Sequence, residues 1–232
     1  HLGFLAVPVT IIWIVGITNA VNLIDGLDGL AVGVSSIAAI TMLAVALLTD
    51  NMAIAITMAA LTGACIGFMP YNLNPAKIFM GDTGSTFLGY MLATVSIMGL
   101  FKFYAVISFA VPFLILGLPI FDTANAIIRR LAEGRSPMSP DRGHVHHKLI
   151  DMGFNQKQAV AILYAISATL GLTAVVLTSS GEVKAVVLLA AVLAAILVGA
   201  CIIYGAEHWG KHPQEQKKHK KEAAQEEKNK HE

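Results

Sequence analysis

Long apolar windows limit the possible folds of this chain more than any other feature of its sequence. A helix needs about 20 apolar residues to cross a bilayer, and windows near that length can be placed at seven positions. They cover residues 2–18, 30–48, 52–70, 86–101, 104–128, 159–178 and 183–204. The sequence therefore predicts an all-α fold, a polytopic membrane bundle of about seven transmembrane helices within residues 1–205.

The composition agrees with a membrane protein. Of the 232 residues, 56% are hydrophobic and 13% are charged, and the mean hydropathy of +0.68 disfavours a soluble globular domain. Cys65 and Cys201 lie in apolar runs and are predicted to be free buried thiols. Residues 206–232 are polar and charged, without an apolar stripe, and are predicted to form a disordered cytoplasmic tail. No nucleic acid partner is expected.

The basic residues set the predicted topology. Six of them lie between positions 129 and 157, and the positive-inside rule places that stretch in the cytoplasm. Counting the spans back from it puts residues 19–28 and 71–85 on the same side. A transporter would place ionisable groups along a pathway near mid-membrane, but these spans contain almost none. We therefore expect a cytosolic molecule to meet a membrane-embedded one at this face.

The first polar cluster, residues 19–31, reads NAVNLIDGLDGLA and lies where one apolar window ends and the next begins. It contains the amides Asn19 and Asn22 and the carboxylates Asp25 and Asp28. On a helical turn, the spacing of three residues would place both carboxylates on one face. So many oxygens in an apolar chain indicate a metal, a sugar or a base as their ligand.

The GDTGS segment, residues 81–85, places Asp82 between glycines just before the fourth window. A carboxylate and free backbone N–H groups at one helix N-terminus suit a metal-bound phosphate. Magnesium is often held by one carboxylate together with substrate oxygens and water. It is equally plausible from the residue types that Asp82, Thr83 or Ser85 only caps the helix.

The histidine loop, residues 136–149, reads SPMSPDRGHVHHKL. His144, His146 and His147 accompany Arg142 and Lys148, a set that can bind anions, donate protons or ligate a metal. Zinc is the less favoured ligand because no cysteine lies nearby. A basic loop that recognises lipid headgroups is the alternative.

Asp122 lies near the inner end of the fifth window, after Pro112 and Pro119, which could kink or break a helix there. It is either a further active-site carboxylate or a structural partner of Arg129 or Arg130. The sequence does not separate these two interpretations.

Together, these motifs resemble a known family. Four segments, in this order and separated by membrane spans, are similar to those of the polyprenyl-phosphate N-acetylhexosamine-1-phosphate transferases of glycosyltransferase family 4. They read NAVNLIDGLDGLA, NPAKIFMGDTGS, FDTANAIIRR and SPDRGHVHHKL. HVHH resembles the bacterial members that use UDP-N-acetylglucosamine to begin teichoic acid, O-antigen or related polymers. The phospho-MurNAc-pentapeptide transferase, whose loop typically reads HHH, is the alternative.

The resemblance implies a role for each motif. Asp82 would ligate Mg²⁺, for which Mn²⁺ could substitute, and Asn22 and Asp25 would line the catalytic cleft. The remaining positions divide between the two ends of the nucleotide sugar. The uracil would be held by Asp28, Asn72 and Phe79. The sugar and diphosphate would be bound by His144, His146, His147 and Arg142. Further substrate-binding candidates are Asn19 and Asp122.

The implied reaction joins a UDP-sugar to a polyprenyl phosphate lipid. The lipid phosphate would attack the β-phosphorus of UDP-N-acetylglucosamine, with UMP leaving, at the cytoplasmic face of the cell membrane. A homodimer is compatible with this interpretation. A secondary transporter and a non-catalytic membrane scaffold are the rival classes, and neither explains why the Asn, Asp and His clusters share one face.

One motif of the family is not found in this sequence. Members carry an aspartate-rich motif upstream of the first polar cluster, but no two aspartates are adjacent here and the first residue is His1. We expect from this that upstream helices are missing, and that a chain beginning here would be inactive alone.

Overall fold

The computed structural model describes residues 3–99, 105–136, 139 and 143–179. Within these ranges the chain is helical and has no strand, which confirms the predicted all-α class. In the described part of the chain, a 3₁₀ turn, Gly3–Leu5, precedes eight α-helices. They are α1 Ala6–Leu23, α2 Leu30–Leu48, α3 Met52–Asn72, α4 Gly81–Gly99, α5 Ala105–Ile115, α6 Gly117–Ala132, α7 Val145–Asp151 and α8 Gln156–Thr178. The predicted seventh window, Cys201 and the predicted tail lie outside the described residues.

Four helices of the described chain are long and apolar enough to cross a membrane, and they match four of the predicted windows. They are Gly3–Leu23, Leu30–Leu48, Met52–Asn72 and Gln156–Thr178. The predicted fourth window is also helical, as α4, but this helix begins with the polar GDTGS segment. The chain is a multi-pass membrane protein.

Helix α2 is the centre of the described bundle. Of the residues in its most apolar window, 72% are buried, against 17% in the window that includes α1. Helices α3, α4 and α8 all pack against α2. Small residues allow the helices to approach closely. A Cβ at Gly33 of α2 would lie 2.0 Å from the Tyr164 ring of α8, and one at Gly89 of α4 would lie 2.8 Å from Cα of Thr18 in α1.

The predicted fifth window is divided into α5 and α6 at Leu116. Pro119 lies in the first turn of α6 and has no N–H to continue the hydrogen bonds of α5, so the break predicted from the prolines is confirmed. The break starts a separate helix at Gly117, which carries Asp122 on its buried face.

The first polar cluster is divided between the end of a helix and the connection that follows it. Asn19 and Asn22 lie in the last turns of α1, while Asp25 and Asp28 lie in the short irregular connection to α2. Gly29 ends that connection with a φ of +81°, a conformation that favours glycine. The two carboxylates are therefore positioned by a turn.

Candidate functional site

The first polar cluster, the GDTGS segment and the end of α3 meet at one end of the bundle. The Ser85 hydroxyl donates to the Asn22 side-chain oxygen, which joins α4 to the end of α1. The Gly29 amide donates to Oδ1 of Asn72 at 3.2 Å, which joins the start of α2 to the end of α3. The prediction that these segments share one face is confirmed for the described residues.

The connection between α1 and α2 is held from both sides at Gly29. Its N–H donates to Asn72, and its carbonyl accepts from the Tyr164 hydroxyl of α8. A Cβ at this position would lie 2.9 Å from Cδ2 of Leu73, so a larger residue would meet both steric and backbone strain. The turn that carries Asp25 and Asp28 is therefore fixed by α3 and α8.

Three carboxylates give this end of the bundle a concentration of negative charge. Asp25 is half-buried, and burial together with the charges of Asp82 and Asp28 raises its pKa from 3.8 to about 6. Asp82 is exposed in the first turn of α4. Carboxylates that raise one another's pKa suit a cation as their counter-charge.

No group of three or more His, Cys, Asp or Glu able to hold a metal is found in the described ranges. The exposed Asp82 and the half-buried Asp25 offer carboxylate oxygens at this end of the bundle. Magnesium in proteins binds one or two such oxygens, with water and substrate phosphate completing its shell.

Ser85 turns toward the site, although the sequence suggested it only as a helix cap. Its hydroxyl contacts Asn22 and lies 3.0 Å from the Gly81 carbonyl of its own helix. Since the Asn22 side-chain oxygen accepts from Ser85, its NH₂ group is oriented away from that bond. The GDTGS segment thus orients one of the predicted cleft residues.

The predicted uracil-binding residues Asp28 and Asn72 are both hydrogen-bonded within the protein. Asn72 is 2% exposed, and its NH₂ group donates to the Ile78 carbonyl at 3.0 Å. One oxygen of Asp28 accepts from Asn74 and from the Ala76 amide. These bonds shape the connection between α3 and α4, residues 73–80.

Phe79 differs from these two residues because its side chain is 77% exposed at the same end of the bundle. An exposed aromatic ring beside fixed polar groups can stack on a planar base. The assignment of Phe79 to a nucleobase stays a prediction, as do those of Asp28 and Asn72. Asn19 is exposed, and its NH₂ group donates to the Val15 carbonyl in its own helix.

The histidine loop is anchored to α6 by Asp122. One carboxylate oxygen lies 2.9 Å from Nδ1 of His144, and the other accepts from the Val145 amide at 2.8 Å. Both Asp122 and His144 are buried. These contacts make Asp122 an anchor of the histidine loop, and its assignment to the active site stays a prediction.

His146 connects this loop to the first polar cluster. Its ring stacks on that of His144, with centroids 5.8 Å apart, and contacts that of His147. A Cβ at Gly26 would lie 2.5 Å from Nε2 of His146. Burial, followed by the charge of His147, lowers the pKa of His146 to about 4, so its ring is neutral at pH 7. Arg142, the predicted anion-binding cation, lies outside the described residues.

An apolar groove of about 260 Å³ lies between α3 and α4, beside the GDTGS segment. Its lining includes Cys65 and Phe68 of α3, Gly84 and Leu88 of α4, and Phe79 and Met80 of the connection between them. Cys65 is a buried free thiol, as predicted. The groove places apolar surface next to the polar end of the bundle.

Sequence reasoning did not find Asn74, Gln156 or Tyr164 as members of this site. Asn74 lies within the quoted motif but was assigned no role, and the other two lie on α8, far along the chain. Local spacing carries no signal for them, because their partners are 46 to 135 residues away.

Comparisons with known proteins find a matching family model and several similar proteins. The sequence model described as glycosyl transferase family 4 matches residues 1–100. A Bacillus subtilis protein named probable undecaprenyl-phosphate N-acetylglucosaminyl 1-phosphate transferase is 46% identical over 180 residues, which are 78% of this chain and 50% of that protein. The decaprenyl-phosphate N-acetylglucosaminephosphotransferase of Mycolicibacterium smegmatis is 39% identical over 181 residues, 68% of this chain and 44% of that protein.

A phospho-N-acetylmuramoyl-pentapeptide-transferase also matches. The protein of that name from Clostridium beijerinckii is 35% identical over 175 residues, 73% of this chain and 50% of that protein. The chain spans about half the length of the curated relatives it matches.

Proposed function

We propose that this chain, which belongs to glycosyl transferase family 4, forms part of the active site of a membrane phospho-sugar transferase. The substrates are UDP-N-acetylglucosamine and polyprenyl phosphate, and the products are UMP and a polyprenyl diphosphate sugar. The observation that carries the proposal is the meeting of the first polar cluster, the GDTGS segment and the histidine loop at one end of an apolar bundle.

The proposed reaction needs positioning and charge neutralisation more than acid–base chemistry. An oxygen of the lipid phosphate forms a bond to the β-phosphorus of the UDP-sugar, and the bond from that phosphorus to UMP breaks. The attacking oxygen is already anionic, so no strong general base is assigned. Asp25 and Asn22 would line the cleft, with Asn22 oriented by Ser85.

Asp82 is the residue proposed to hold Mg²⁺, or Mn²⁺ in its place. The ion, when bound, would neutralise charge on the diphosphate. Support comes from the exposed position of Asp82 at the start of α4 and from the crowding of negative charge around Asp25. Arg142 would supply a further positive charge, and the half-buried His147 a further hydrogen-bonding group.

The apolar groove beside Gly84 supports an acceptor with an apolar chain. A phosphate at the N-terminus of α4 would leave an attached isoprenoid chain next to Met80 and Phe68. The site is proposed to face the cytoplasm because basic residues are concentrated between positions 129 and 157. A homodimer remains compatible with the proposal.

Transfer of phospho-MurNAc-pentapeptide is the second candidate, favoured by the similarity to the Clostridium beijerinckii protein. The HVHH sequence of the histidine loop favours the first candidate. Membranes containing the product of the complete gene are supplied with both UDP-sugars and polyprenyl phosphate, and the lipid-linked products are separated. Preference for UDP-MurNAc-pentapeptide would reverse the choice between the two, and absence of UMP release with either would overturn the proposed function.

The metal role has its own test. Asp82→Asn is expected to abolish Mg²⁺-dependent UMP release while the protein stays folded in membranes. Asp50→Asn is the matched control, since Asp50 lies between α2 and α3 at the opposite end of the bundle, and Asn tolerates its φ of +52°. Normal turnover by Asp82→Asn would remove Asp82 from the metal role.

A further inference from the structure

We infer that Asn74 and Gln156 form a positioning pair that orients the Asp28 carboxylate and thereby sets the preference of the site for a uracil base. The inference rests on the proposed function, in which a uridine nucleotide is bound and Asp28 contacts its base. It assigns roles to two residues that contact each other from distant parts of the chain, the connection between α3 and α4 and the start of α8.

The pair is defined by three hydrogen bonds. The NH₂ group of Asn74 donates to Oδ2 of Asp28 at 3.0 Å and to Oε1 of Gln156 at 2.8 Å. The Ala76 amide donates to the same oxygen of Asp28 at 3.1 Å. Two donors thus hold one carboxylate oxygen, and no hydrogen bond joins the other, Oδ1, to the described residues. A fixed carboxylate with one free oxygen can accept a hydrogen bond from a ligand.

Gln156 comes from a rigid position. It is the first residue of α8 and follows Asn155, whose side chain accepts from the Gln158 amide at 2.9 Å. The Gln158 side chain in turn accepts from the Asn155 amide at 2.9 Å, which completes a capping box. Because this helix start is stabilised by its own cap, Gln156 presents a fixed acceptor to Asn74.

The same segment links the base-facing and histidine-bearing parts of the site. Residues 152–155 join α7 to α8, and the Phe154 amide donates to the Leu149 carbonyl at 3.2 Å. The orientation of Asp28 therefore depends on the positions of α8 and of α7, the helix that carries His146. Neither Asn74 nor Gln156 needs to contact the substrate to have this effect, so both are positioning residues.

Base preference follows from hydrogen-bond direction. Uracil offers a ring N–H where cytosine has an acceptor, so a fixed carboxylate oxygen favours the first base and repels the second. Sites built to pair with a substrate N–H reject analogues that lack it. A carboxylate free to rotate would lose affinity for uracil and would also tolerate cytosine better.

The test compares binding of UMP and CMP to the purified protein from the complete gene, by calorimetry in detergent. Gln156→Leu removes the acceptor, and we expect roughly a tenfold loss of UMP affinity, the size of one hydrogen bond. The ratio of CMP to UMP dissociation constants should fall toward one. Gln156→Glu keeps an acceptor and should restore most of that ratio, and Asn74→Ala, in a surface connection, should reproduce the loss.

Gln158→Leu is the matched control, because it breaks the capping box without touching Asn74. It should lower the unfolding temperature and change the CMP to UMP ratio by less than Gln156→Leu does, because Gln156 keeps its acceptor. An equal change of ratio in Gln158→Leu, or an unchanged ratio in both Gln156→Leu and Asn74→Ala, would overturn the positioning role. Wild-type protein that binds UMP no better than CMP would overturn base recognition altogether, whereas UMP preference without UMP release would count against the proposed function alone.

Discussion

Nδ1 of His144 lies 2.9 Å from the Asp122 carboxylate, and both residues are buried. This bond ties the short helix α7 to α6 and therefore holds the histidine loop against the end of the bundle. Asp122 also accepts from the Val145 amide, so a single carboxylate satisfies a side chain and a backbone donor. The position of His146 over Gly26 depends on this anchor.

Asp122→Ala should destabilise the protein by about 2–4 kcal/mol, because it leaves the Val145 amide and His144 without a buried acceptor. Asp122→Asn should cost less, since its side-chain oxygen can still accept from Val145. Thermal unfolding in detergent measures both. Glu133→Gln is the control. Glu133 is exposed, and its carboxylate accepts from Arg135, two residues later in the chain. An equal loss in Glu133→Gln would remove the anchoring role of Asp122.

Asp25 should make the protein less stable as the pH rises. Its pKa in the folded protein is about 6, above the ordinary value of 3.8, so the folded state holds a proton that the unfolded state has lost. Its contribution to stability is therefore present below pH 3.8 and is lost as the pH rises through about 6. Asp25→Asn should have a higher unfolding temperature than wild type at pH 7 without divalent cations.

Magnesium should reduce the advantage of Asp25→Asn, because a cation offsets the repulsion from Asp82 and Asp28. Asp151→Asn, at the exposed end of α7, serves as the control and should change neither the unfolding temperature at pH 7 nor its response to magnesium. Equal unfolding temperatures of Asp25→Asn and wild type at pH 7 without divalent cations would contradict the charge crowding.

His146 should have the opposite pH dependence. Its pKa of about 4 in the folded protein lies below the ordinary 6.5, so the unfolded state binds a proton first as the pH falls. Its contribution is fully present above pH 6.5 and is lost as the pH falls toward 4. His146→Phe should reduce that loss, whereas His147→Phe should retain most of it. The measurement is the unfolding temperature at pH 7 and pH 5, and equal slopes in wild type and His146→Phe would contradict it.

The contact of α8 with α2 predicts a graded pair of effects. Tyr164→Phe loses one hydrogen bond to the Gly29 carbonyl and should cost about 1 kcal/mol. Gly33→Ala should cost about 1–3 kcal/mol, because the new Cβ would lie 2.0 Å from the Tyr164 ring. Gly63→Ala in α3, where a Cβ has open space, should be neutral or slightly stabilising. The measurement is thermal unfolding of the three variants. If their losses of stability do not follow this order, the contact between α8 and α2 does not hold the turn at Gly29.

The helical elements were largely predictable from the sequence. Windows 30–48 and 52–70 coincide with α2 and α3 within two residues, because apolar length is a local property that needs no knowledge of neighbours. The break near Pro119 was equally local. The position of the polar clusters at a common end followed from the alternation of the spans across the membrane.

The candidate site was only partly predictable. The motifs indicated which residue types would gather, but not that Asp28 and Asn72 would hold the connection between α3 and α4, nor that Ser85 would orient Asn22. The spacing of Asp25 and Asp28 did not indicate the irregular connection in which they lie, because side-chain spacing does not report the positive φ that Gly29 adopts.

The sequence by itself determined that this chain is helical, apolar and membrane-spanning, and that its carboxylates, amides and imidazoles cluster where the apolar windows end. Only the tertiary structure decided which of them pair. Asp122 with His144, Asn74 with Gln156 and Tyr164 with Gly29 are separated by 22, 82 and 135 residues. Such pairs arise when helix packing brings polar groups from distant parts of the chain within hydrogen-bond distance, so no local pattern of residues encodes them.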